Sequence, residues 1–193
     1  MKILLKVRLK MINIEMLRNF HGKAVNIEET EIILQNFKEL KLTRTPFYLT
    51  LSEFDKILKW KLRLQYGRQK EFRSENSEEI VRLVTQAAFA AKHKNEDYEL
   101  ELKINLLCSL RGVGVPVASA ILTLAFPEDY CVVDFRNWRQ IFNNEQRSFS
   151  LNDYKRYIKK IRSLSNELGW TVQETDQAIW EYDRRFGKDF IKD

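Results

Sequence analysis

A Gly-Val-Gly hinge between two apolar helical runs is the feature that most constrains this chain. The hinge is Gly112-Val113-Gly114, and the apolar positions around it recur at helical spacing: Leu107, Leu110, Ala118, Ile121 and Leu122. Glycine permits a tight turn and the close approach of another backbone. The tripeptide alone can merely join two core helices, but the full pattern favours a helix-hairpin-helix at residues 106–126.

The rest of the chain also has helical periodicity. Six glycines and three prolines leave little room for turn-rich β architecture. Helices are predicted to begin near Asn26, Ser52, Asn76 or Ser77, Asp97, Pro116, Asp134, Ser150, and Thr171 or Thr175. Gly169 is expected to end the helix that Ser150 begins. Residues 2–14 fit either a strand or a helix, and the best loop candidates are Leu42–Leu49 and Gln65–Asn76. We therefore expect an all-α fold of about eight helices. Residues 1–193 would form one helical domain or two tightly packed helical lobes.

The composition of the chain indicates which classes of partner and cofactor to expect. The net charge of +6 favours a polyanionic partner. Two cysteines cannot supply a four-thiolate metal site, and His21 and His93 lack ligand spacing, so neither a metal nor another cofactor is predicted. No run approaches the length of a membrane span. The opening residues lack the clean apolar stretch of a signal peptide, so a cytoplasmic protein without a membrane partner is expected.

The start of the second hairpin helix is a candidate anion site. Free amides and the helix dipole favour negative charge there, and a DNA phosphate is a natural occupant. Pro116 fits the first turn of that helix because its missing N–H is not needed. The predicted DNA contacts of the hairpin are Arg111, Gly112, Val113, Gly114, Val115, Val117 and Ala118.

This region resembles the DNA glycosylase superfamily that combines a helix-hairpin-helix with an aspartate. Members of the endonuclease III type read Leu-Pro-Gly-Val-Gly-x-x-x-Ala, continue through Ala-Phe, and reach Val-Asp with an Arg shortly after. The matching positions here are Leu110, Gly112-Val113-Gly114, Ala118, Ala125-Phe126, Val133-Asp134 and Arg139. Asp134 lies 22 residues beyond Gly112, as in that family, and the resemblance covers residues 107–142.

The resemblance implies that Asp134 is the catalytic carboxylate. Cleavage of an N-glycosidic bond builds positive charge on the sugar, which a nearby carboxylate can stabilise while it orients or deprotonates water. The base must first leave the stack. An alternative role for Asp134 is to cap the helix that follows, and the two roles are compatible.

The chain departs from the family pattern at several positions. Pro116 stands where bifunctional members carry a Schiff-base lysine, and the family's four-cysteine cluster is missing. The resemblance therefore implies at most a monofunctional glycosylase that uses water. No wedge or recognition module is evident, so a noncatalytic helix-hairpin-helix DNA-binding protein is the alternative. A helical interaction module that binds no nucleic acid is a third possibility.

Two basic stretches are further candidates for DNA contact. Lys61, Arg63 and Arg68 lie in a stretch that also contains Trp60 and Tyr66. The alternative is a solvated helix face, with Trp60 in the core.

The second stretch directly follows Asp134. Arg136 and Arg139 share a helix face and can hold a phosphate beside Asp134 or pair with an acid: Glu128, Asp129 or Asp134 itself. Trp138 can wall a base pocket but is better explained as core, while Trp180 and Tyr182 are expected to be structural.

Overall fold

The regular secondary structure of the chain is helical throughout the part that the structure describes. A computed structural model describes residues 14–24 and 27–187. Its helices are α1 (Ile14–Arg18), α2 (Ile27–Thr43), α3 (Leu51–Leu62), α4 (Lys70–Arg73), α5 (Glu78–Ala90), α6 (Glu96–Cys108), α7 (Val115–Ala125), α8 (Phe135–Phe142), α9 (Leu151–Leu168) and α10 (Val172–Phe186). A 3₁₀ helix, Arg63–Gln69, joins α3 to α4. The all-α prediction is confirmed. Across the same residues, no helix combines the length and apolarity needed to cross a bilayer.

Short polar side chains fix where most helices begin. Ser77, Ser150 and Thr171 cap α5, α9 and α10, as predicted, and Gly169 ends α9 with a φ of 71°. Helix α3 begins earlier than expected because Thr50 caps it instead of Ser52. The Thr50 hydroxyl accepts the Glu53 N–H at 3.2 Å, and the Glu53 carboxylate accepts the Thr50 N–H at 2.8 Å. Asn26 and most of segment 2–14 lie outside the described residues.

The structure differs from the sequence periodicity at one predicted loop and on the faces of two helices. The predicted loop Gln65–Asn76 contains the end of the 3₁₀ helix and α4, because the buried guanidinium of Arg73 bonds the Tyr66 carbonyl and lies 4.8 Å from the Tyr66 ring centroid. Three apolar side chains that follow the helical periodicity are exposed: Ile32 on α2, and Ile80 and Leu83 on α5.

The helices pack as two groups that share one apolar core. Helix α7 is buried from Val117 to Ala125 and packs against α2, α3 and α6. Helix α10 packs against α1, α8 and α9. Buried residues of both groups belong to one continuous hydrophobic cluster. The connection from α7 to α8, residues 126–134, passes from the first group to the second.

A buried ionic cluster joins α8 to α10. Asp183 is 0% exposed, and it accepts hydrogen bonds from Arg139 Nε (2.5 Å), Arg139 Nη2 (2.6 Å) and Gln140 Nε2 (2.8 Å). Arg136 Nη1 approaches the same carboxylate at 3.2 Å. Because Arg139 is 3% exposed, removal of Asp183 would deprive a buried guanidinium of its 2.5 Å carboxylate partner.

We therefore expect Asp183→Ala to lower the free energy of unfolding by about 3–5 kcal/mol, as for other broken buried ion pairs. Lys159→Ala is the matched control, because Lys159 forms a 2.7 Å pair with Asp97 on the surface, and its loss should cost at most about 1 kcal/mol. Urea unfolding of both variants measures the difference. Equal losses would contradict a structural role for the cluster.

Candidate active site and nucleic-acid interface

The position of Asp134 is set by the extended segment that precedes it. Residues 131–133 are buried between helices. Three hydrogen bonds tie this segment to α7, α9 and α10: Val133 N–H to Ser119 Oγ (3.2 Å), Tyr154 Oη–H to Cys131 O (3.0 Å), and Val132 N–H to Asp176 Oδ2 (3.2 Å). Asp134 therefore leaves the core at a point that both helix groups determine.

Asp134 caps α8 with one carboxylate oxygen and leaves the other available. Its Oδ1 accepts the N–H groups of Arg136 at 2.9 Å and Asn137 at 3.1 Å, which confirms the predicted cap. Its Oδ2 has no hydrogen-bond partner within residues 14–24 and 27–187. The cap therefore fixes the orientation of the carboxylate and does not exclude a second role.

A cavity of about 150 Å³ lies between the two helix groups, and Asp134 is part of its wall. Its chemically informative lining residues comprise two carboxyl groups, two cations and two indoles: Asp134, Asp176, Lys61, Arg63, Trp60 and Trp180. They come from α3, the start of the 3₁₀ helix, the start of α8, and α10. Only packing of the two helix groups brings them together.

The two indoles are part of this wall, and Trp60 also packs against the hydrophobic core. Trp60 is partly exposed, and its Nε1–H donates to Thr30 Oγ1 at 3.2 Å. Trp180 is also partly exposed, and the guanidinium of Arg136 lies 5.6 Å from its ring centroid. The sequence favoured a core position for Trp60 and a structural one for Trp180. Trp138 is 1% exposed, so its core assignment is confirmed.

Asp176 is the functional candidate that sequence reasoning missed. Burial raises its pKa to about 7, and the nearby negative charge of Asp134 adds to the shift, against hydrogen bonds that lower it. A signal was present, because Val172, Asp176 and Ile179 follow one another at helical spacing. An acid in such an apolar stripe is unusual enough to suggest a special role.

The hairpin that contacts this cavity region consists of α6, the turn 109–114 and α7. Gly112 has a φ of 77°, and an added Cβ would lie 2.4 Å from Arg73 Cγ. The buried side chain of Asn76 stabilises the turn through two hydrogen bonds. Its Nδ2 donates to the Arg111 carbonyl at 3.0 Å, and its Oδ1 accepts the Arg111 N–H at 2.9 Å. The predicted helices and glycine turn are thus present.

Three N–H groups of the turn are free to bind an anion. Those of Gly112, Gly114 and Val115 have no acceptor among the residues that the structure describes. Gly114 is the N-cap of α7 and has no side chain to occupy these donors. The positive end of the helix dipole lies at the same place.

The other predicted hairpin contacts point inward. Val113, Val117 and Ala118 are buried. The N–H of Val113 donates to the Leu110 carbonyl at 3.1 Å, and those of Val117 and Ala118 both donate to the Gly114 carbonyl at 2.9 Å. These residues support the turn and do not present donors to a ligand.

The first basic stretch lies at the cavity and beyond it. Lys61 and Arg63 line the cavity, and Arg68 is exposed on the 3₁₀ helix. Arg63 pairs with Glu29 at 2.6 Å, whereas Lys61 and Arg68 make no ion pair with any described residue. Lys61 and Arg68 therefore retain the charge that a phosphate contact requires.

The two arginines of the second basic stretch pair with a buried carboxylate. Arg139 is buried against Asp183, and Arg136 shares that partner, so charge pairing prevails. The partner is neither Asp134 nor the acids at 128 and 129. Arg139 cannot reach a phosphate from this position. Arg111 is exposed: it forms a surface pair with Glu75 at 3.3 Å, and its guanidinium lies 5.0 Å from the Phe72 ring centroid, so it stays accessible.

Comparison of this chain with protein-family models, with curated proteins and with solved structures finds no match. Its function must therefore be argued from the residues and their geometry.

The two hairpin glycines should respond differently to alanine. Gly112→Ala should cost at least about 1–2 kcal/mol of folding free energy, because a side chain at positive φ is strained and the new Cβ overlaps Arg73. Gly114→Ala should change stability by less than about 0.5 kcal/mol, since its φ is −102° and its nearest neighbour, Pro116 Cδ, is 3.9 Å away. Thermal unfolding compares them, and equal losses would contradict the turn geometry.

Proposed function

We propose that the protein is a monofunctional DNA glycosylase-like enzyme. It binds DNA through the hairpin, accepts an extruded base in the cavity and hydrolyses the N-glycosidic bond with Asp134. The proposal accords with the resemblance of residues 107–142 to the helix-hairpin-helix glycosylases. The observation that carries it is the free Oδ2 of Asp134 at a cavity that two indoles also line.

The spacing of hairpin and cavity suits a nucleic-acid strand. Val115 begins α7 at the turn, and Thr123 on the same helix lines the cavity. Eight residues of helix separate them, which is about 12 Å. A strand that rises about 3.4 Å per nucleotide covers that distance in a few nucleotides. Phosphates at the free hairpin amides can thus position a nearby sugar at Asp134.

The chemistry requires one carboxylate and one water. As the bond between C1′ and the base breaks, positive charge develops on the sugar, and the negative charge of Asp134 stabilises it. Asp134 takes a proton from the water that adds to C1′. Trp60 and Trp180 supply apolar surfaces for the base, as aromatic side chains do for unstacked bases. Pro116 supplies no amine, so a lyase step at that position is excluded.

The 3₁₀ helix offers a means to open the duplex. Leu64 is fully exposed beside the cavity residue Arg63. An apolar side chain inserted between base steps unstacks them, and neighbouring cations hold the phosphates. Leu64 would fill the space of the extruded base, with Lys61 and Arg68 at the backbone. The sequence did not indicate this residue as a wedge.

The direct test is base release from duplexes that carry alkylated, oxidised, deaminated or mismatched bases, followed by alkali to cleave abasic sites. We expect release from at least one substrate by the wild type and none by Asp134→Asn. Asparagine caps helices as well as aspartate does, so this variant should remain folded. No release by the wild type above that control on any substrate would contradict the enzymatic proposal.

A noncatalytic DNA-binding protein is the second candidate, because the cap on α8 is by itself a sufficient structural role for Asp134. Both candidates predict that Gly114→Ala weakens DNA binding about tenfold, since a Cβ would hinder the phosphate at the free amides. Fluorescence anisotropy over a salt series measures this, and an unchanged affinity would count against the hairpin as the binding site. Binding without base release would favour the second candidate.

A further inference from the structure

The cavity contains two carboxyl groups in contrasting environments. Asp134 is partly exposed, and two backbone N–H groups stabilise its negative charge. Asp176 is 6% exposed, lies beyond the first turn of α10, and accepts a single backbone N–H, that of Val132, from the residues that the structure describes. Two carboxyl groups whose surroundings favour opposite charge states are the usual arrangement for a general acid and its charged partner.

Asn137 links the two groups. Its backbone N–H donates to Asp134 Oδ1 at 3.1 Å, and its Nδ2 donates to Asp176 Oδ1 at 2.6 Å and to the Asp176 carbonyl at 3.0 Å. The side-chain Oδ1 of Asn137 is buried and has no hydrogen-bond partner in the part of the chain that the structure describes. Asn137 therefore contacts both carboxyl groups, Asp134 through its backbone N–H and Asp176 through its side-chain amide, and fixes their relative position.

The hydrogen bonds of Asp176 leave one of its oxygens with room for a proton. Oδ1 accepts from both the Tyr157 hydroxyl and Asn137 Nδ2. Among the described residues, Oδ2 accepts only the Val132 N–H, at 3.2 Å. Because a carboxyl oxygen has two lone pairs, a proton on Oδ2 requires no existing bond to break.

Burial and the charge of Asp134 favour the neutral form of Asp176 and outweigh the hydrogen bonds from Tyr157, Asn137 and Val132, which favour the anion. Asp134 faces it from the start of α8, Tyr154 and Tyr157 from α9, and Cys131 from the connection. Burial raises the pKa of both tyrosines and of the cysteine, so these three are uncharged near neutral pH. The cavity cations Lys61 and Arg63 make no ion pair with Asp176 within the described ranges. Asp134 is the charged group that contributes most to the raised pKa of Asp176, and its sign disfavours a second anion.

We propose that Asp176 is the general acid of the reaction and that Asp134 is its charged partner. The inference rests on the proposed function. Asp176 gives its proton to a nitrogen or oxygen of the base as the bond to C1′ breaks and its electron pair passes to the base. Water adds to C1′ and loses a proton to Asp134. Transfer of that proton through solvent restores both carboxyl groups, so the base leaves protonated and the sugar gains a hydroxyl.

A general acid at Asp176 determines which class of modified base the enzyme releases. An uncharged base leaves as an anion unless it is protonated, whereas a base made cationic by N-alkylation leaves as a neutral molecule without help. A general acid in the pocket therefore accelerates release of uncharged modified bases, such as deaminated or oxidised ones. We assign the cavity to that class.

Single-turnover base release tests the assignment with two duplex sets, one with uncharged deaminated or oxidised bases and one with 7-methylguanine. For the uncharged bases, Asp176→Asn should reduce the rate by about 10²–10⁴-fold, the usual contribution of a general acid. The wild-type rate should fall about tenfold per pH unit above the pKa of Asp176, which is about 7. The asparagine variant should lack this dependence, and any 7-methylguanine release should be nearly unchanged by the substitution.

The outcomes separate this inference from the proposed function. Release of 7-methylguanine alone, or equal losses on both duplex sets, would overturn the role of Asp176 while leaving the enzyme in place. Absence of all base release by the wild type would contradict the proposed function itself and the inference with it.

Stability measurements detect the proton on Asp176 without any substrate. A carboxyl pKa raised in the folded state means that the folded protein binds more protons than the unfolded chain between the two pKa values. The wild type should therefore lose stability relative to Asp176→Asn as pH rises from about 4 to about 7, with no further change outside that window. A difference that is constant with pH would show that Asp176 is ionised throughout, and would overturn the inference.

Discussion

The candidate site depends on the hydrogen bonds that hold the buried connection between α7 and α8. The side chains of Ser119 and Asp176 accept the N–H groups of adjacent residues in this connection, from opposite helix groups. An extended segment inside a protein must satisfy its polar backbone groups, and here helix side chains do so. The next residue is Asp134. Its carboxylate is therefore oriented by the packing of the whole molecule as well as by its own cap on α8.

The structural role of Asp176 as a hydrogen-bond acceptor conflicts with the cost of burying its negative charge. Its carboxyl group supports the connection, but burial makes its negative charge unfavourable. A neutral polar side chain can accept hydrogen bonds at this position without that conflict. Carboxyl groups kept in such settings are over-represented at sites where a proton is transferred. The same reasoning does not apply to Asp183, because Arg139 neutralises it within the interior.

The sequence predicted the parts of the structure that local rules determine. Helix starts at Ser77, Ser150 and Thr171 follow from capping, and the turn at Gly112 follows from the conformational freedom of glycine. The cap on α8 was foreseen for the same reason. The exposure of Ile80 and Leu83 could not be predicted, because apolar periodicity alone does not indicate which part of a wide apolar face packs against the core.

The composition of the cavity lies beyond local rules. Lys61 and Trp180 are far apart in the chain, and only the packing of the two helix groups places them in one wall. Arg139 was assigned to DNA because its partner, Asp183, is 44 residues away and belongs to another helix. The sequence does not distinguish Asp176 from the other acidic residues on helices. Its burial results from tertiary contacts with α8, α9 and the connection.

The most direct measurement is a crystal structure of the protein bound to duplex DNA that contains a stable abasic-site analogue. The account predicts a backbone phosphate at the N–H groups of Gly114 and Val115, with the anomeric carbon of the analogue facing Asp134 Oδ2. DNA bound to another surface, or an analogue directed away from the cavity, would contradict it.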